Sequence, residues 1–117
     1  MSTWDQEIFT VEVNADFLDE LAELESDEVM DAVRDAVLLG ANQGAASEDE
    51  VLNGQAAATI AAIWAGAPFS AGEVVERYPF IRMRPDELDE KLTETAAEIL
   101  EAADTELDLE QFIEALS

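Results

Sequence analysis

The chain has 117 residues, of which 29 are acidic and 5 basic, for a formal net charge of -24, and it contains neither cysteine nor histidine. That charge opposes direct nucleic-acid binding, because phosphate affinity needs a basic footprint. The two missing residue types exclude disulfides, thiol chemistry and the commonest general base and metal ligand.

Residues 1–117 suit one domain with a modest core, since 49% of them are hydrophobic. From Met1 to Val13 the chain opens on Trp4 and then alternates, with Phe9, Val11 and Val13 apolar and Thr10 and Glu12 polar. That is a strand period. A second strand pattern is missing, and a lone strand leaves its backbone groups unpaired. The expectation is therefore an extended N-terminal arm, residues 1–13, that packs Trp4, Ile8 and Phe9 against helices; strand pairing across a homodimer is the other option. The segment has no basic n-region and no apolar h-region, so the expected location is cytoplasmic.

Asn14 is placed to cap a short helix over residues 15–24, with Phe17, Leu18, Leu21 and Leu24 on one face and Asp16, Asp19, Glu20 and Glu23 facing water. Ser26 caps a helix over residues 27–41, whose buried stripe is Val29, Val33, Ala36, Val37 and Gly40. Asp27 and Glu28 complement the dipole of its first turn. Gly40, Asn42 and Gly44 mark its end.

The stretch Val51 to Gly72, VLNGQAAATIAAIWAGAPFSAG, carries no charge. Ser47 and Glu50 form a capping box for a helix over residues 48–65. Leu52, Ala56, Ile60, Ile63 and Ala67 lie at helical spacing, and Ala57, Ala61 and Trp64 fill the adjoining face. A helix apolar nearly all round is surrounded by others, so this one is the expected centre of the fold. Gly66 and Pro68 stop it. Its apolar part is short, Ala-rich and flanked by acids on both sides, which argues against a membrane span.

Ser70 caps a short helix over residues 71–77, with Val74, Val75 and Tyr78 on its apolar side. Residues 77–85 then form an ordered basic connector, held out of helix by Pro79 and Pro85. Three of the five bases, Arg77, Arg82 and Arg84, lie here. Pro85 suits the first position of a helix over residues 85–103, with Leu88, Leu92, Thr95, Ala96, Ile99 and Ala103 inward. Asp108 caps a last helix that turns Leu109, Phe112, Ile113 and Leu116 to the core. The fold class is all-α, with about five or six helices in a single small domain.

No catalytic constellation stands out. Di-iron bundles pair carboxylates with a Glu-x-x-His on facing helices, and histidine is absent. Serine and threonine have no His base, and the glycines do not form a phosphate loop. No cofactor or metal site is assigned; the acids at helical spacing read as solvated helix faces. The connector residues Arg77, Tyr78, Phe80, Arg82 and Arg84 combine aromatics with arginines, the types enriched at interface hot spots. The competing reading has Tyr78, Phe80 and Ile81 cover the core while the arginines neutralise neighbouring acids.

Trp4, Phe9 and the Asp16–Phe17 pair, leading into an acidic helix with Leu21, resemble the bacterial domain-of-unknown-function family 4259. Its members begin M-G-x-W-G-x-G-x-F-D-N-D and continue to A-x-D-[WF]. Ser2, Asp5 and Glu7 replace its glycines here, Thr10 and Val11 its Asp-Asn pair, and Glu12 keeps only the charge of the third acid. The Ala-rich segment with Ala61, Ala62 and Trp64 is also similar. The resemblance implies a small bacterial all-helical protein and brings no activity.

The leading functional expectation is a non-catalytic, acidic interaction protein that binds a basic protein partner, in the manner of an inhibitor or a nucleic-acid mimic. The candidate acidic surface is Asp16, Asp19, Glu20 and Glu23, and self-association through the arm or the connector is a further option. The alternatives are a solubility-adapted protein with no specific partner and a carboxylate-based or metal-dependent hydrolase.

Overall fold

A computed structural model describes residues 4–41, 47–67, 72–82, 90–103 and 109–116. Seven α-helices and one 3-10 turn occupy these residues, in the order α1 (Trp4–Thr10), α2 (Glu12–Ala22), α3 (Ser26–Ala41), α4 (Glu48–Trp64), α5 (Gly72–Arg77), the 3-10 turn (Pro79–Arg82), α6 (Glu90–Ala102) and α7 (Glu110–Leu116). There is no strand among them.

Helix α4 is the centre. Its capping box is formed as expected: the Glu50 backbone N–H donates to the Ser47 hydroxyl, and the Ser47 backbone N–H donates to a Glu50 carboxylate oxygen. Every residue from Ala56 to Trp64 is buried. A helix buried on all sides needs neighbours on all sides, and α1, α2, α3, α6, α7 and the 3-10 turn all pack on it. The helix ends where Gly66 adopts φ +116°. The Gly66 N–H donates to the Ile63 carbonyl and the Ala67 N–H to the Ala62 carbonyl, which is a Schellman motif built on the glycine's conformational freedom.

The contact between α3 and α4 is made by glycine against glycine. A Cβ placed on Gly54 would lie 2.8 Å from the Gly40 Cα and 3.2 Å from the Ala36 carbonyl oxygen, and a Cβ on Gly40 would lie 2.8 Å from the Gly54 Cα. These are backbone atoms, so no rotamer change relieves the clash. Val29, Val33, Ala36, Val37 and Gly40 are all buried, so the stripe expected on α3 is its packing face.

The N-terminal arm is not extended. Residues Trp4–Thr10 are helical, and Glu12 and Val13 already belong to α2. The physical reason is hydrogen bonding: with no partner strand among the described residues, a helix satisfies the backbone internally. Among the described residues of this segment only Val11, the N-cap of α2, stays extended, at φ -62° and ψ 133°. The expected packing of Trp4, Ile8 and Phe9 against other helices does occur, and all three are buried. This removes strand pairing across a dimer as a role for these residues. Asn14 is not a cap either. It lies inside α2, fully buried, and its Nδ2 donates to the Ile8 carbonyl at 2.8 Å, tying the second helix back to the first.

Other boundaries shift by small amounts. Helix α3 starts at Ser26 itself, with the Val29 N–H donating to the Glu25 carbonyl. The connector is helical in part, since Pro79–Arg82 makes a 3-10 turn; a proline at its first position costs no hydrogen bond. The caps expected at Ser70 and Asp108, the stops at Asn42, Gly44 and Pro68, the start at Pro85, and Leu88 lie outside the described residues.

Two tryptophans fasten the periphery to α4. The Trp4 Nε1–H donates to the Thr59 hydroxyl at 2.7 Å, and that hydroxyl donates to the Gln55 carbonyl at 2.8 Å. The Trp64 Nε1–H donates to the Phe80 carbonyl at 3.1 Å. The first pair is fully inside, so losing either partner leaves a desolvated polar group.

Three predictions come from this packing. Gly54→Ala improves local helix propensity, yet it is expected to lower stability by about 1–3 kcal/mol through overpacking. Gly72→Ala, with nothing within 4 Å, should stay within about 0.5 kcal/mol. Thr59→Val, which orphans the Trp4 indole N–H, should cost about 1–3 kcal/mol. Urea denaturation of the three variants beside the parent chain measures all of these.

Candidate interaction site

Helix α2 spaces its acids so that they form one line. Asp16, Asp19, Glu20 and Glu23 recur at intervals of three and four, which puts them on one helix face, and all four are exposed. Leu18 and Leu21, on the opposite face, are buried. The hydrophobic face therefore aims the acidic stripe outward. Phe17 is only half-buried, and Leu24, expected on the inward face, is 37% exposed. It lies beyond the helical end at Ala22, where the stripe no longer points at the core.

The structure brings the acidic stripe and the connector together. The Tyr78 hydroxyl donates to the Asp19 carboxylate, joining α2 to the end of α5 across 59 positions in the chain. The hydrogen bond to Asp19 raises the Tyr78 pKa above its ordinary value of 10.0, burial adds to the shift, and so does the negative charge of Asp19; the neighbouring Arg77 opposes it. A groove of about 400 Å³ opens beside this bond, between Phe9, Thr10 and Ala15 on one side and Glu73, Val74, Arg77 and Tyr78 on the other.

The connector aromatics belong largely to the core. Tyr78 and Ile81 are buried, and Phe80 is half-buried against the same cluster. The Tyr78 and Phe80 rings meet at a centroid distance of 6.0 Å and an interplanar angle of 56°, a tilted arrangement within the favourable range. Arg77 is exposed at the groove edge. Arg82 closes the 3-10 turn, and Arg84 lies outside the described residues. The rings are therefore not presented as free hot spots. Among the candidates, Tyr78, Arg77 and Asp19 meet in one place.

On the other edge of the stripe is a second groove, of about 320 Å³, where α2, α3 and α4 come together. Phe17 and Glu20 reach it from α2, and Leu39, which is 53% exposed, stands on it from α3. Sequence reasoning passed over Leu39. Its signal was that it lies beside Gly40 and off the buried stripe of α3.

Among the described residues, no group of three or more carboxylates is arranged to hold a metal ion. Asp5 is the one buried acid among them, and it lines neither groove. No helix among the described residues is long and apolar enough to cross a membrane. No protein-family model, curated protein or solved structure matches the chain.

Tyr78 is the single tyrosine, so phenolate absorbance titrates it directly. Its midpoint is expected above 10.0, and Asp19→Ala should move it back toward that value. The folded pKa is the higher one. The stabilisation is therefore complete below the unfolded value and is lost as pH rises through the folded value. Melting temperatures measured across the alkaline range should fall more steeply with pH for the parent than for Tyr78→Phe.

Proposed function

We propose that this chain is a non-catalytic interaction protein that receives a basic protein partner on its acidic surface, as an inhibitor or nucleic-acid mimic does. One observation carries the reading: Asp16, Asp19, Glu20 and Glu23 form an exposed, continuous stripe bordered by a groove on each side. Fields of one sign over a shaped surface steer oppositely charged partners and suppress wrong ones. The first 33 residues hold eleven acids and no base, so nothing in α1 or α2 neutralises the stripe from within.

A second reading is supported by a different observation. Exposed acids occur on every helix, including Glu94, Glu98 and Glu101 on α6 and Glu110 and Glu114 on α7. Acidity spread in this way fits a protein adapted for solubility in a salty medium, with no specific partner. We also propose kinship with family 4259, which adds no activity to either reading. The hydrolase reading needs two buried acids in one cavity, and the described residues place only Asp5 in the interior.

The two readings separate in a capture experiment from host lysate. The bait is the parent chain or its Asp16→Asn, Glu20→Gln, Glu23→Gln variant, at about 0.05 and 0.15 M salt. The partner reading expects one basic protein, retained stoichiometrically at the higher salt by the parent and lost with the variant. A heterogeneous basic set, lost at the higher salt and equal for both baits, would leave the solubility reading in its place.

A further inference from the structure

We propose that the groove between α2, α3 and α4 is the docking site for a basic amphipathic segment of the partner protein. It would take one large apolar side chain on its floor and Lys or Arg side chains on its rim. This inference rests on the acidic-surface reading above and names where on that surface recognition happens.

Three helices each supply a line of residues at helical spacing. The floor is Phe17 from α2 with Ala32, Ala36 and Leu39 from α3. The alanines make it concave, and Leu39, at 53% exposure, leaves apolar surface uncovered at its edge. The close Gly40–Gly54 approach fixes the neighbouring residues Leu39 and Asn53 on two closely apposed helices. The anchor surface is therefore held by backbone packing and does not depend on a loop.

The rim is charged with one sign. Glu20, Asp35 and Glu50 surround the floor, and among the described residues no basic side chain lines it. Glu50 gives one carboxylate oxygen to the Ser47 N–H, which fixes its position. Asn53 also lines the groove, and its Oδ1 is shielded from solvent with no hydrogen-bond donor among the described residues.

Charge selects among occupants. A second copy carries a net charge of -24 and would bring acid to acid. Nucleic acid and anionic lipid are repelled for the same reason. A cationic amphipathic helix laying its apolar side in a groove is an established recognition mode, and this rim complements it. The groove between α6 and α7, of about 440 Å³, also has an acidic rim of Glu101, Glu110 and Glu114. Its floor, however, offers no large apolar side chain as exposed as Leu39.

The test uses two synthetic helical peptides of equal charge, one alternating Leu and Lys at helical spacing and one with Ser in place of Leu. Binding is followed by fluorescence anisotropy at about 0.1 M salt. The full-length chain is compared with Leu39→Ser, a surface change whose fold is checked by its thermal melt. The expected result is that Leu39→Ser weakens the Leu/Lys peptide about tenfold or more and leaves the Ser/Lys peptide unchanged. Equal binding of the Leu/Lys peptide by both proteins would overturn the groove while leaving the acidic-surface reading intact. Failure of both peptides to bind the parent chain would overturn both readings. A parent-chain dimer in sedimentation that Leu39→Ser dissociates would replace the basic partner with a second copy.

Discussion

Helices α3 and α4 meet without side chains between them at Gly40 and Gly54, where an added Cβ would come within 2.8 Å of the opposing backbone. Much of the molecule depends on that close approach. A glycine inside a helix is destabilising by about 0.5–1 kcal/mol relative to alanine. Facing each other, the two let α3 and α4 approach closely, and Ala36 lies in one buried cluster with the alanines of α4. With α3 so near, the remaining sides of α4 are open to α6, α7, α1 and α2. The run of Ala and Ile from Ala56 to Ile63 is buried in consequence.

The polar groups in this core have specific tasks. Thr59, fully buried in the middle of α4, both donates to the Gln55 carbonyl and accepts from Trp4. Trp64, one turn and a residue further on, holds the Phe80 carbonyl. Asn14 ties α2 to α1 through the Ile8 carbonyl. Each bond joins elements that hydrophobic burial would allow to slide, because apolar contact is non-directional and a buried hydrogen bond is not. Among the described residues the Asn14 Oδ1 has no partner, so that side chain carries part of the cost of the arrangement.

The surface follows from the same geometry. Once Leu18 and Leu21 face inward, Asp16, Asp19, Glu20 and Glu23 face outward together. The stripe then lies between a groove reached by Ala15 and Tyr78 and another reached by Phe17 and Leu39. Like charges in a line repel and work against compactness at low ionic strength. Asp19 moderates this locally by accepting the Tyr78 hydroxyl. The remaining acids are held on a rigid helical frame, which suits recognition of a cationic partner better than a flexible acidic tail would.

By itself, the sequence determined the helical class, the central position of α4, its capping box and glycine stop, and the inward stripe of α3. These are local features: capping residues three apart, apolar periodicity and a glycine at a helix end all act within one or two turns. It also determined which acids share a face of α2. The residues before Val13 were misread because Phe9, Val11 and Val13 satisfy a two-residue period over too short a span; whether such a segment pairs as a strand depends on a partner elsewhere in the chain. Tertiary structure alone decided the rest. The Gly40–Gly54 contact, the Trp4–Thr59 and Asp19–Tyr78 bonds and the groove under Leu39 each join residues from different helices. No local pattern encodes which helix lies against which, because that is set by the shapes of all the packed faces at once.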